Sequence, residues 1–244
     1  MTIESVLASE FPGALDEDTF VRTTIESLDP MGFRPDNTLA CLATCRDEIS
    51  QSWAEVVTEY LGRPFVLTGL GGLILAGKTG FGAALSHAPN PDGRERYLFL
   101  AGPHVAIGRG GEPGLCERPG RSGASTACGA LAAVLGELQQ GAVGPTDDPE
   151  DVELGWLRKR IEAGLSGRAV PDLLQLTRLV HDVIVDDMAR TLAASVDVST
   201  IDYAVASGIQ IHAPGGSNFI QPGKFFAVVE GECRQVERVS EVPE

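Results

Sequence analysis

Apolar residues at Phe20, Ile25 and Leu28 follow a cluster of acidic and threonine residues, a spacing that predicts a capped helix over 16–28. A short apolar run over 38–45, bounded by Pro35, Asp36 and Asn37 before it and by Arg46 and Asp47 after it, predicts a buried strand. Ile49, Trp53, Val56, Val57 and Tyr60 then recur at helical intervals, with Asp47 in the position of an N-cap. Two more apolar runs, 65–75 and 96–107, read as buried strands separated by a loop containing Asn90, Pro91, Asp92 and Gly93. A Gly- and Pro-rich stretch over 108–123 is long enough to be a functional loop. The pattern next predicts a helix over 126–138 with Cys128 in its first turn, a polar linker over 141–151, and helices over 152–163 and 171–194. Strands over 203–212 and 224–230, joined by a turn at Pro214, Gly215 and Gly216, close the chain. Strands alternating with helices predict an α/β fold whose mainly parallel β-sheet is flanked by helices. With no internal repeat, one domain spanning 1–244 with an N-terminal helical segment is the simplest organisation.

Composition narrows the function classes. A net charge of −15 repels a phosphate backbone, which argues against nucleic acid as a partner. The longest apolar runs are interrupted by Gly69, Gly71 and Gly72 and fall short of the roughly 18–20 residues of a membrane helix, so no membrane association is expected. An acidic start (Glu4, Glu10, Asp16, Glu17, Asp18) carries no secretory or import pattern, and a cytoplasmic location is expected. Cys41, Cys45, Cys116, Cys128 and Cys233 are too few and too irregular for a disulfide framework, which leaves buried, nucleophilic or metal-binding roles.

Catalytic zinc takes three soft or borderline protein ligands and keeps a fourth position for water, a requirement that two cysteines and one histidine meet. Cys45 and His104 are predicted near the carboxyl ends of strands, where open α/β sheets collect ligands. Cys128 is predicted at a helix N-terminus, whose partial positive charge favours the thiolate. Separations of 59 and 24 residues match no local zinc-knuckle pattern, and residue type alone leaves a purely structural role open for each.

An ordered series of blocks adds to this: Phe11-Pro12-Gly13-Ala14, Cys45-Arg46-Asp47-Glu48, Gly69-Leu70-Gly71-Gly72, Gly93-Arg94-Glu95-Arg96-Tyr97, Pro103-His104-Val105-Ala106-Ile107, Arg118-Pro119-Gly120-Arg121 and Cys128-Gly129-Ala130-Leu131. The series, running from about residue 11 to about 231, resembles the limiting CO2-inducible protein B family, which has a β-carbonic anhydrase-like fold. The resemblance implies zinc held by Cys45, His104 and Cys128, and reversible hydration of CO2 to bicarbonate by a metal-bound hydroxide, in a homodimer. It also implies that Asp47 is a gate, which either closes on the metal or pairs with an arginine and leaves the metal open to water. Ile49 stands where the ordinary β-carbonic anhydrase pattern has that arginine. Arg46 is the favoured substitute, with Arg94, Arg96, Arg118 and Arg121 as further candidates, and His87 and His212 are available as proton shuttles. A catalytically silent zinc-stabilised scaffold or regulator of inorganic-carbon handling is the alternative within the same family.

A competing motif lies at Gly72 to Thr79, which fits the phosphate-binding pattern G-x-x-x-x-G-K-T and raises nucleotide hydrolysis as a lesser alternative. Its central Leu73, Ile74, Leu75 and Ala76 suit a buried strand better than a loop of exposed amides, and Gly80 and Gly82 weaken the helix that should follow.

Overall fold

The computed structural model describes residues 2–118 and 120–239; Pro119 of the Arg118 to Arg121 block and the two ends of the 1–244 span lie outside them. In chain order the elements are α1 (Ile3–Glu10), β1 (Leu15–Asp16), α2 (Glu17–Leu28), β2 (Thr38–Ala43), α3 (Gln51–Leu61), β3 (Phe65–Val66), α4 (Gly77–Ala84), β4 (Glu95–Ala101) and β5 (His104–Ala106). They continue as β6 (Leu115–Glu117), β7 (Ala124–Thr126), α5 (Gly129–Gln140), α6 (Val152–Leu165), α7 (Leu173–Ser195), β8 (Ile201–His212), β9 (Asn218–Val229) and β10 (Glu232–Gln235). The main sheet has the order β1-β9-β8-β4-β2-β3, with β5 also on β8 and β10 on β9. Pairs β2/β3, β2/β4, β4/β8 and β5/β8 are parallel, whereas β9 runs antiparallel to β1, β8 and β10.

The central strands are mainly apolar because both of their faces are covered, with Thr38, Arg96, Asp202, Ser207, Gln210 and His212 as buried polar exceptions. Alternate residues diverge: Cys41, Ala43, Tyr97, Phe99, Ala101, Tyr203 and Val205 enter one core, under α4 to α7. Their neighbours Ala40, Leu42, Leu98, Leu100, Ala204 and Ala206 enter the other, under α2 and α3 with Phe20, Trp53 and Val57. Local chemistry sets the helix starts: the Asp16 side chain accepts from the Thr19 amide, and Asp172 and Gln175 form a reciprocal capping box ahead of α7. Among the described residues no helix is long and apolar enough to cross a membrane.

Several predicted elements differ in detail, each for a backbone reason. The 96–107 run breaks into β4 and β5 because Pro103 has no N–H for the ladder and Gly102 passes so close to β8 that a Cβ there would lie 1.6 Å from the Gly208 carbonyl. The 65–75 run is a strand only at Phe65 and Val66; it then turns through Gly71 and Gly72, at φ +63° and +85°. A Cβ on Gly72 would meet the Gly102 carbonyl at 2.5 Å, so the two glycine turns are packed against each other. The apolar part of the phosphate-loop match therefore forms no strand, while Leu73 and Ile74 are buried and α4 forms despite Gly80 and Gly82. Residues Ala124–Thr126 pair with Leu115–Glu117 in a hairpin, so Thr126 ends a strand instead of opening the predicted helix, and α5 starts at Gly129.

Candidate metal centre

Three chain segments end at one place. Cys45 lies just beyond the carboxyl end of β2, tied to Gly69 by a single parallel bridge. His104 opens β5 after the break at Gly102 and Pro103, in register with Gln210 of β8. Cys128 is the N-cap of α5, one residue outside the first turn in which it was expected. One ligand atom from each of the three lies within 4.8 Å of the others, and the two sulfurs are 3.7 Å apart. All three residues are buried, at 3%, 1% and 1% exposure, so the cluster is not a chance grouping of surface side chains.

The electrostatics suit a cation. The hydrogen bond from the Cys128 thiol, opposed by burial and aided by His104, brings the Cys45 thiol well below its ordinary range, while the same contact and burial push Cys128 up. The pair thus shares one proton that a divalent ion would displace. His104 Nε2 is buried and has no hydrogen-bond partner among the described residues, a costly state for a ring nitrogen that a metal would relieve. Two thiolates and an imidazole are the donor set expected of zinc, so the residues fit that ion.

Asp47 stands beside this cluster, its Oδ2 3.9 Å from His104 Nε2. Its partner is Arg118, which donates from Nη1 to Oδ1 at 2.6 Å and from Nη2 to Oδ2 at 2.9 Å. The guanidinium is itself held by the Ser125 hydroxyl, the Thr126 carbonyl and the Glu48 carboxylate. Burial works to raise the Asp47 pKa, but the Arg118 contacts and the nearby His104 ring outweigh it and hold the acid at about 2. The favoured pairing with Arg46 does not form: Arg46 points outward, 57% exposed, and forks onto Glu153, which also accepts from the Leu70 amide. Arg46 and Asp47 lie in the bend between β2 and α3, and their side chains leave it toward different partners, Glu153 and Arg118. Arg94 is spent on Asp202 and Arg96 on Asp92, while Arg121 is exposed. Ile49, at the position of the ordinary arginine, packs against Ala106, Cys116 and Ala127.

The two further histidines separate. His87 is exposed, bonded to the Ala83 carbonyl and set against Phe65. His212 is buried, with Nε2 3.1 Å from His104 Nδ1 and Nδ1 2.8 Å from Asn218 Oδ1. Burial, and then the neighbouring His104, push its pKa down to about 3, so the ring is neutral. Asn218 carries no signal in the sequence beyond lying after the Pro214 to Gly216 turn, and only the β8/β9 register, His212 opposite Asn218, brings it into play. A cavity of about 360 Å³ is lined in part by Ile49, Ser52, Arg118, His212 and Asn218.

Comparison with known proteins agrees with the fold. The family model described as limiting CO2-inducible proteins B/C β-carbonic anhydrases matches residues 14–229. A crystal structure of the limiting CO2-inducible protein LCIB is similar, with 32% identity, a TM-score of 0.79, and coverage of 97% of this chain and 99% of that one. A crystal structure of PtLCIB4, a homolog of LCIB, gives 26% identity and a TM-score of 0.84 over 96% of this chain and 99% of that one. No curated protein matches the chain significantly.

Proposed function

Because the chain belongs to the limiting CO2-inducible protein B/C family of β-carbonic anhydrases, we propose that it hydrates CO2 reversibly to bicarbonate with zinc held by Cys45, His104 and Cys128. The observation that carries this reading is the forked Arg118–Asp47 pair beside an unpartnered His104 Nε2. A carboxylate held this way has both oxygens engaged by Arg118 and not by the ligand cluster, which keeps it from serving as a fourth metal ligand. Bound zinc supplies the Lewis acidity that makes water nucleophilic near neutral pH. The protein's own groups do the rest. Arg118 keeps Asp47 ionised, and the second lone pair of Oδ2 accepts a proton-bearing group beside His104. Ile49 and Cys116, which line the cavity over the buried Ala106 and Ala127, offer an uncharged surface for CO2, and Arg118 in the same lining offers a cation for departing bicarbonate.

The reading includes a homodimer with CO2 and bicarbonate as its small partners, and no nucleic acid or membrane partner. A cytoplasmic location fits five free cysteines, since a reducing compartment keeps thiols available to a metal. Stopped-flow CO2 hydration with the zinc-loaded full chain tests the proposal. A rate well above the uncatalysed one that disappears when zinc is removed is expected; zinc-replete protein with no rate above background refutes enzymatic function and leaves the silent scaffold.

A further inference from the structure

His104 must present a bare Nε2 to bind a metal, and an imidazole in water has no fixed tautomer. Here a short chain of acceptors decides it. Asn218 is the first residue of β9 and His212 the last of β8, directly opposite each other, and His212 is in turn in register with Ala106 of β5, so the three strand ends bring Asn218, His212 and His104 to one face of the sheet. The Oδ1 of Asn218, 2.8 Å from His212 Nδ1, can only accept, so that nitrogen carries the proton. An uncharged ring has one N–H, which leaves His212 Nε2 bare to accept from His104 Nδ1–H at 3.1 Å. The His104 proton is thereby placed on Nδ1, and Nε2, the buried ring nitrogen with no hydrogen-bond partner among the described residues, keeps a lone pair for a metal shared with Cys45 and Cys128. The opposite arrangement would aim an N–H at the two sulfurs, where it would compete with the cation. The two rings meet edge to face, with centroids 5.2 Å apart and planes at 75°, which also fixes the plane of His104.

We propose that His212 and Asn218 are positioning residues that lock the tautomer and orientation of His104 for metal binding. The inference rests on the zinc reading above, but it concerns metal affinity and proton placement and does not require turnover. Partners of metal-bound histidines commonly change affinity by about 10- to 100-fold when removed.

The test uses the full-length chain, with zinc affinity measured by competition against a chromophoric chelator and the His104 tautomer read from 15N imidazole shifts of the metal-free protein. His212→Leu should bind zinc about 10- to 100-fold more weakly, and His212→Gln, whose side-chain oxygen can accept, should recover most of the loss. Asn218→Asp, an acceptor that cannot flip, should match or exceed the wild type, while Asn218→Ala should weaken binding. If His212→Leu fails to fold by circular dichroism, the two Asn218 variants decide by themselves, because that side chain sits at the half-buried start of a strand. In the metal-free wild type Nε2 of His104 should be unprotonated, and the proton should move to it in His212→Leu. Equal zinc affinity in wild type and His212→Leu, or in Asn218→Asp and Asn218→Ala, overturns the inference. Failure of the wild type to bind zinc instead overturns the function proposed above, and the tautomer shift then decides the role of His212 unaided.

Discussion

Replacing Arg118 by methionine isolates the gate. Its guanidinium and the Asp47 carboxylate are each only 12% exposed at the side chain, and two hydrogen bonds of 2.6 and 2.9 Å join them. Breaking a fully buried pair costs about 3–5 kcal/mol and an exposed one about 0–1 kcal/mol. A pair this far from bulk solvent but open at one side falls between, at about 2–3 kcal/mol. Methionine fills a similar volume, so the loss is mainly electrostatic and leaves Asp47 as an unpaired anion 3.9 Å from His104 Nε2. The nearest site of positive charge is then the metal position itself, and the carboxylate should move onto it. If the lost interaction sets the balance between open and closed forms, 2–3 kcal/mol corresponds to roughly a 30- to 150-fold fall in the open fraction and in CO2 hydration. Arg118→Lys should fall less, because an ammonium keeps the charge but not the fork. The assay is stopped-flow hydration at zinc content matched by metal analysis, with a denaturation cycle on Arg118→Met and Asp47→Asn expected to give a coupling of about 2 kcal/mol. A wild-type rate in zinc-loaded Arg118→Met refutes the gate.

Cys45→Ala, His104→Ala and Cys128→Ala should each lose zinc, whereas Cys41→Ala, Cys116→Ala and Cys233→Ala should retain it; full metal content in any of the first three contradicts the ligand assignment. Asp47→Ala should keep the metal and lose most of the hydration rate. Asp202 is raised by burial but lowered further by Arg94, so its stabilising contribution is complete above its ordinary range near 4 and is lost as pH falls through the lower folded value. Asp202→Asn should therefore cost about 2–4 kcal/mol at neutral pH and progressively less below about pH 4, as read from denaturation midpoints against pH. Light scattering on the full chain should give a dimer mass, and a monomer would remove that part of the proposal.

The strands at 38–45 and 203–212, the first part of 96–107 and the long α7 were legible in the sequence, since an apolar run bounded by charge and turn residues, or a stripe of period 3.6, is a local property; the three metal-ligand candidates came from the family resemblance, residue type alone leaving a structural role open for each. The order of blocks from Phe11 to Leu131 named the family without coordinates. Breaks in the pattern were harder to read: Gly102 and Gly72 are glycines because two turns and β8 pack against one another, a contact between segments far apart in the chain. The arginine that holds Asp47 is a plainer case. Arg46 is its neighbour in sequence and Arg118 lies 71 residues away, yet only Arg118, carried on the β6/β7 hairpin, has its fork facing the carboxylate. Likewise Asn218 bears on His104 solely through the antiparallel register of β8 and β9. Periodicity is carried by neighbours along the chain and so determined the elements; which of the candidate side chains share one place, and the partner of each, depends on which strand ends meet in space, and only the tertiary fold decided that.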